Sequence, residues 1–543
     1  MNIVNFEKGI NFVNDTYYIF KGKQLDYFLD DCINLKNREF FCTSKNYSDS
    51  HKTAIYIEGK ENITLDFSGA TLFLHGDIQP IIITKSKNIE IKNLVVKYDR
   101  SFFTEMTIIE RSHDYLKVKV DPRFPYEIKD GKFIPKSDYW RDETLNETYI
   151  FLQEFDPITR EGISWPVISL GNKGEDKLTL PWGDETCSLL AYQEGEYVVF
   201  RGKNVPPYRI GSILELCMNN RDISAITMFD SSDLKVTNFR LVNGLGMGIL
   251  PMYCKNVTLD GYKLFYDENS VGFVTNTADG FHADACSGDI IIKNCIFEGT
   301  IDDAINIHSN YYETVSCNGN RLLLESPHAT AFEKVFGVGD RIRMYKLHSM
   351  KPIDEFVINQ INRIDTFQFE FVLDREIKEF YPKSLVENLS TQPNIYISDS
   401  KFGKANTHLR FQTRGKVRVT NVETSMDLLF TGDTNYWFES SPNEDSVFEN
   451  VKFTMPNKYG VVSIPEFKAI ENAKYYHKGI VVKNCIFASD LGLYIRFSDQ
   501  IELLDSKSLS GKPLKVVLDH CGEFKSNIEP IVERTNNKGD RDE

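Results

Sequence analysis

The chain lacks any apolar run near the roughly 20 residues that a bilayer crossing needs. Its start, Met1 to Glu7, lacks the basic-then-apolar order of a secretory signal. No membrane association is expected, and location stays open between the cytoplasm and export with a signal removed. Positive charge is also short: 63 Lys and Arg stand against 78 Asp and Glu, a formal charge of −15. That balance repels a phosphate backbone and argues against nucleic acid as a partner. The ten cysteines lack CxxC spacing and a dense disulfide pattern and fall mostly in apolar runs, so they read as reduced core residues without structural zinc. Extremes of composition are missing too: 26% charged and 41% hydrophobic residues exclude a disordered or collagen-like chain. At roughly 150 residues per domain, 543 residues fit three or four ordinary domains or one solenoid with insertions.

What is present is a repeated phrase: alternating apolar residues, then Asn or Asp, then an apolar or aromatic residue. It occurs at Ile89–Leu94, Leu234–Phe239, Val257–Tyr262, Ile290–Phe297 and Ile480–Phe487, the last two sharing the string KNCIF. Equivalent Asn or Asp positions lie 22 residues apart from Asn238 to Asp260, 34 to Asn294, 29 from Asn421 to Asn450 and 34 to Asn484. One coil of a parallel β-helix accounts for these spacings. Each coil supplies short strands whose inward residues are buried only when neighbouring coils stack. An Asn at the corner suits a left-handed turn, because its short amide tolerates that backbone and bonds locally. A β-sandwich, the rival fold, calls for Asn-Gly hairpin signals, which are scarce in the repeat region.

Two stretches break the rhythm. Residues 101–220 are Pro-rich with short strand-like runs, and 311–392 read as antiparallel strands; both are expected to be small β-domains inserted between coils. The division expected is thus 1–100 for the N-terminal part and first coils, 101–220 for the first insertion and 221–310 for coils with an acidic site. The second insertion at 311–392, C-terminal coils at 393–525 and a polar tail at 526–543 complete it. Insertions gather on one face of a solenoid, often the binding face.

The densest polar cluster runs from Asp279-Gly280-Phe281-His282 to Ile301-Asp302-Asp303-Ala304-Ile305-Asn306-Ile307-His308. The two acidic groups are 23 residues apart, one short coil, and should stack on rungs roughly 4.8 Å apart. A solvated polar ladder is the plain explanation. Adjacent Asp302 and Asp303 in an otherwise apolar strand argue for function, since like charges held close are costly. Farther on come Arg410 and the run Gly432-Asp433-Thr434-Asn435-Tyr436-Trp437-Phe438-Glu439-Ser440, about two coils beyond Asp303 once the second insertion is removed. Its aromatic residues fit either the core or a sugar platform beside carboxylates and amides.

DGFH, then DDAxNxH one coil later, with Gly246-Met247-Gly248 upstream and GDxNYWFES downstream, resembles the α-1,3-galactosidases of glycoside hydrolase family 110. The resemblance extends over about 220–500, and more weakly to His328–Glu333 with Gly339-Asp340. It departs from the family at Ala283-Asp284-Ala285, which is more polar than the apolar run expected after DGFH. What the resemblance implies is an all-β chain, a right-handed parallel β-helix with inserted β-barrel domains, that removes terminal α-1,3-linked galactose by an inverting route without metal or other cofactor. The positions matched are Asp279, Asp302 and Asp303, with Glu333 and Glu439 as further acidic candidates. The implied partner is a galactose-terminated oligosaccharide or glycoconjugate.

An inverting glycosidase needs one carboxylic acid for the leaving oxygen and one carboxylate for water, roughly 6.5 to 9.5 Å apart. Adjacent rungs can offer that distance, and crowded acids raise one proton affinity. Asp302 or Asp303 is the expected base. Asp279, the other Asp, Glu333 or Glu439 is the expected acid. His282, Asn306, His308, His328, Arg410, Asp433, Asn435 and Trp437 are the expected sugar contacts. A polysaccharide lyase recruiting Arg410 or Arg414, and a non-catalytic glycan-binding solenoid, are the competing readings, since fold alone does not separate them.

Overall fold

The computed structural model describes residues 2–35, 52–142, 149–164, 167–170, 177–179, 185–217, 223–265, 272–327, 335–347, 349–365, 367–404, 408–434, 436–465 and 475–535. Strands dominate these residues, with one 3-10 turn at Leu29–Asp31 and no helix long and apolar enough to cross a membrane. The strands stack in parallel register as three sheets of a β-helix. The first sheet includes Glu61–Asp66, the front half of Lys87–Tyr98, Ser232–Leu241, Lys255–Asp260, Ser287–Lys293, Asn394–Ser398, Lys416–Thr420, Asp445–Glu449, His477–Lys483 and Ser498–Leu504. The second is narrow, with rungs such as Lys263–Leu264, Ile296–Glu298, Lys401–Gly403 and Glu423–Thr424. The third runs from Lys52–Glu58 through Ile226–Phe229, Ile249–Met252, Phe281–Asp284, Ile305–Asn318 and His408–Phe411 to Ile531–Thr535.

Alternation explains why these segments stack. In Ser287–Lys293, Ile290 and Ile292 are buried while Ile291 and Lys293 are not. Leu65, Ile91, Val236, Leu259, Ile292, Ile397, Val419, Phe448, Val482 and Leu503 pair in sequence as one apolar column along the axis. Each such side chain contributes about 1.5–3 kcal/mol on burial, and no single coil could bury it alone.

The corner between the first two sheets carries the Asn residues of the repeat. Asn93, Asn238, Asn294, Asn421, Asn450 and Asn484 all have φ between 49° and 56°. Their amides link coil to coil, as in Asn238 Nδ2 donating to Asn93 Oδ1 at 3.0 Å and Asn450 Nδ2 to Asn421 Oδ1 at 3.3 Å. At Asp260 the pattern shifts by one: Gly261 takes the positive φ of 76°, and Asp260 serves as acceptor for Asn294 at 2.9 Å. None of the nine described cysteines is in a disulfide and seven are buried; Cys42 lies outside the described residues.

Both rhythm-breaking stretches form closed barrels. In the first, Phe103–Arg111, Tyr115–Val120, Tyr197–Gly202, Glu185–Glu194, Val167–Leu170, Tyr149–Phe155 and Ile213–Cys217 pair in a ring that returns to Phe103–Arg111. All its pairs are antiparallel except Val167–Leu170 with Glu185–Glu194. In the second, the far half of Ile305–Asn318 joins Arg321–Glu325, Gln368–Leu373, Lys351–Arg363, Arg341–Lys346 and Leu385–Asn388 in an antiparallel ring. The strand Ile305–Asn318 therefore begins as a rung of the third sheet and ends as a barrel stave.

Candidate active site

The third sheet builds the site by parity. Phe281, Ala283, Ile305, Ile307, Leu409 and Phe411 enter the apolar core. The alternate positions are polar, and register sets His282 beside Asn306, Asn306 beside Arg410, and Asp284 beside His308. Asp279 and Asp303 each stand two residues before their strand. The Gly280 N–H donates to the Asp303 carbonyl at 2.9 Å, fixing the two turns on adjacent rungs. Glycine is required there, because a Cβ on Gly280 would lie 2.6 Å from Phe297 Cδ1 and 2.7 Å from the Ala304 carbonyl oxygen. Gly248 of the upstream GMG has the same reason: its Cβ would lie 2.1 Å from the Gly280 carbonyl oxygen.

Glu439 arrives on the short strand Glu439–Ser440, which pairs antiparallel with Ser309 and Asn310. Its carboxylate accepts from Gln412 Nε2 at 2.8 Å, Arg410 Nη1 at 3.2 Å and Asn306 Nδ2 at 3.3 Å. Arg410 also pairs through Nε with Asp303 Oδ2 at 2.9 Å, bridging the two acids. Asp303 Oδ1 accepts the His408 N–H at 3.2 Å, and His408 Nδ1 meets Asp427 Oδ1 at 2.8 Å. Asp302 is half-buried, and its Oδ1 accepts the Asp303 N–H at 3.0 Å. A chain of contacts runs behind Asp279. Asp279 Oδ2 meets His282 Nδ1 at 2.6 Å, His282 Nε2 meets His308 Nε2 at 2.9 Å, and His308 Nδ1 meets the Ser309 carbonyl at 2.8 Å.

Burial divides these acids. It pushes Asp303 up to about 7, with Asp302 and Asp279 adding to the rise and Arg410 and His408 opposing it. Burial also pushes Asp284 up to about 6. For Glu439 burial acts upward as well, but His308, Arg410 and His282 outweigh it and hold the carboxyl down at about 2. Burial lowers His282, leaving it a poor place for a fixed positive charge. Arg410 thus bridges a carboxyl held ionised, Glu439, and a carboxyl whose proton affinity is raised to near neutrality, Asp303.

Asp279, Asp302, Asp303, Glu439, His282, Asn306, His308 and Arg410 therefore come together. Asp433 instead shapes the backbone. Its Oδ2 accepts the N–H groups of Tyr436 at 3.0 Å, Phe438 at 3.3 Å and Trp437, folding the turn that delivers Glu439. Of the aromatic run, Phe438 is core, packed with Tyr311, Tyr345 and Leu385, whereas Trp437 is 49% exposed and lies edge-on to the Tyr436 ring at 4.8 Å. Glu333, His328 and Asn435 lie outside the described residues. Sequence reasoning passed over Asp284, Gln412, His408 and Asp427. Asp284 had a signal, a charged residue two places after His282 on the same strand face. Gln412 likewise follows Arg410 by two. Among the described residues no group of three or more His, Cys, Asp or Glu side chains is arranged to hold a metal ion.

No protein-family model matches the chain. It is similar to the α-1,3-galactosidase B of Bacteroides thetaiotaomicron, 25% identical over 452 residues, covering 80% of this chain and 71% of that protein. It is also similar to the α-1,3-galactosidase B of Parabacteroides distasonis, 24% identical over 476 residues, with coverages of 82% and 74%. The α-1,3-galactosidase A of Shewanella woodyi is 22% identical over 466 residues, with coverages of 82% and 73%. Among solved structures, the family 28 exopolygalacturonase of Yersinia enterocolitica aligns over 96% of this chain and 66% of that chain, with 8% identity and a TM-score of 0.32.

Proposed function

We propose that this chain is an inverting, exo-acting α-1,3-galactosidase of glycoside hydrolase family 110, with Asp279 as general acid and the Asp302–Asp303 pair as general base. The enzyme class, glycoside hydrolase, rests on relatives named α-1,3-galactosidase that match about four fifths of the chain. The observation that carries the mechanism is the stacking of Asp279 and Asp303 on adjacent rungs, bracketed by Arg410 and the anionic Glu439. Asp279, backed by His282, gives its proton to the glycosidic oxygen. Asp302, the most open of the acids, takes a proton from the attacking water, while Asp303 shares that proton as a coupled partner. Glu439 stays ionised, so its role is to orient Arg410 and Asn306 and to offset the positive charge that develops on the sugar ring. The lyase alternative asks Arg410 to act as base, but its guanidinium is committed to two carboxylates.

The test is galactose release from a panel of α-galactosides, branched and linear, followed by proton NMR of the first-formed anomer. Turnover of α-1,3-linked substrates with initial β-galactose is expected. Unsaturated sugar products, or binding without turnover, would overturn the proposal.

A further inference from the structure

The imidazoles behind Asp279 hold an unusual hydrogen-bond inventory. Three contacts lie in series, Asp279 Oδ2 to His282 Nδ1, His282 Nε2 to His308 Nε2, and His308 Nδ1 to the Ser309 carbonyl, at 2.6, 2.9 and 2.8 Å. Each needs one proton between its heavy atoms, and the Ser309 carbonyl supplies none. The chain therefore needs three protons, one more than two neutral imidazoles carry. With only two, one contact must press lone pair against lone pair at hydrogen-bond distance, inside a site where His308 is 3% exposed and such a clash is poorly screened.

Resting on the reading of Asp279 as acid, we propose that Asp279, His282 and His308 form one relay built to hold three protons, with Asp284 beside His308 as the counter-charge that retains the third. His282 and His308 are positioning residues, and the acid is the chain as a whole. The three protons have three arrangements that leave neither ring an anion. In one, Asp279 is a carboxylic acid and both imidazoles are neutral, His282 donating from Nε2 and His308 from Nδ1. In the second, Asp279 is a carboxylate, His282 is an imidazolium donating from both nitrogens, and His308 donates from Nδ1. In the third, Asp279 is a carboxylate, His282 donates from Nδ1 and His308 is an imidazolium. One proton sliding one step joins each arrangement to the next.

When the glycosidic bond breaks, its electron pair goes to the leaving oxygen, the Asp279 proton forms the new O–H, and the chain is left with two protons and one bare contact. The water oxygen forms the new bond to the anomeric carbon and gives its proton to the Asp302–Asp303 pair; the bare contact then takes up one proton from solvent, replacing the one given to the leaving oxygen, and the pair releases one to solvent. The surroundings favour this. His308 Nδ1 lies 3.7 Å from Asp284 Oδ1 and Nε2 lies 3.6 Å from Glu439 Oε1. At His282, by contrast, burial and Arg410 outweigh the pull of Glu439, Asp302 and Asp303 and lower its proton affinity on balance. Asp284 is fully buried; Asn310 donates to one oxygen and the other, Oδ2, has no hydrogen-bond partner among the described residues.

The experiment compares two substrates in the wild type, His308→Gln and Asp284→Asn. Galactosyl-α-1,3-galactose has a sugar leaving group that needs a proton; 4-nitrophenyl α-galactoside has one that leaves without it. Glutamine cannot hold the third proton. His308→Gln is expected to lose roughly 10- to 100-fold in kcat on the disaccharide, within the range of general acid contributions, with the basic limb of its pH profile moved down by about one unit. On the nitrophenyl substrate its loss is expected to be at least about tenfold smaller than on the disaccharide. Asp284→Asn moves the basic limb in the same direction. Equal losses on both substrates with an unmoved basic limb would overturn the relay, and if His308→Gln does not fold, the pH limb of Asp284→Asn decides. A wild type that releases no galactose from either substrate defeats the proposed function instead. The relay is then judged by NMR of 15N-histidine-labelled wild-type chain: three strongly hydrogen-bonded proton signals, one for each contact, with spin coupling between the two Nε2 atoms support it, and only two such signals overturn it.

Discussion

Replacing Asp303 by Asn separates what this residue does for the reaction from what it costs the fold. The amide keeps the shape of a protonated carboxyl and removes the charge. Burial holds Asp303 at about 7 in the folded protein, whereas an Asp in an unfolded chain titrates near about 4. The folded state thus binds this proton more tightly. Its stabilising effect is complete below pH ~4 and drains away as pH rises to about 7. Three decades at about 1.4 kcal/mol each come to ~4 kcal/mol by pH 8. With an unfolding entropy of about 2.1 cal/mol/K per residue, a chain of 543 residues converts that into ~3–4 °C of melting temperature. Asp303→Asn is therefore expected to melt with wild type at pH 4.5 and ~3–4 °C above it at pH 8, while kcat falls by at least about 100-fold. Scanning calorimetry at the two pH values, beside galactose release, measures both. A variant that melts lower than wild type at pH 8 would mean that the Arg410 pair outweighs burial, and near wild-type turnover would end the assignment of Asp303 to the base.

Released galactose should appear first as the β-anomer, and turnover should survive EDTA; α-anomer first would indicate a covalent route with closer carboxylates, and loss in chelator restored by metal would favour the lyase reading. Trp437→Ala should raise KM several-fold while leaving Tm within a degree, because the indole is half in solvent; an unfolded variant would assign Trp437 to the core. Gly280→Ala should cost about 1–3 kcal/mol through overpacking and depress activity as well, since its Cβ would force apart the Asp279 and Asp303 rungs; unchanged Tm and activity would show that the turn has slack.

The coils were legible because their physics is local. An alternating strand followed by Asn reports both the buried column and the left-handed corner within six residues, and the Asn294 and Asn484 phrases carry the same φ near 55°. Asp279 and Asp303 were legible as stacked neighbours because one short coil separates them. Roles were less legible where a side chain serves its own turn, and where a contact crosses coils or insertions. Asp433 looks like a sugar ligand from its polar neighbours in sequence, yet three backbone N–H groups within the next five residues use its carboxylate. The partnership of Arg410 with both Asp303 and Glu439 spans 107 residues on one side and 29 on the other, and no spacing rule announces it.

The second barrel explains why a solenoid flank behaves electrically like an interior. His282, Asp284, Asn306 and His308 occupy the outward parity of the third sheet, where a β-helix ordinarily meets water, yet all four are buried. The barrel supplies the cover. Ala285, the next residue after Asp284, packs into the barrel core with Tyr312 and Phe336, Ser309 Oγ meets Thr391 Oγ1 at 3.0 Å, and Arg414 ties Glu387 of the barrel to the following coil at 2.9 Å. The first barrel closes the other flank, where Glu105 accepts the N–H groups of Phe273 and Val274 just ahead of Asp279. Removing water from polar rungs is what raises Asp284 and Asp303 and strengthens the pull of Arg410 on Glu439. The second insertion, which contributes none of the described carboxylates of the site, thus helps to bury the strand that carries Asp284, and burial is what raises the proton affinity of Asp284.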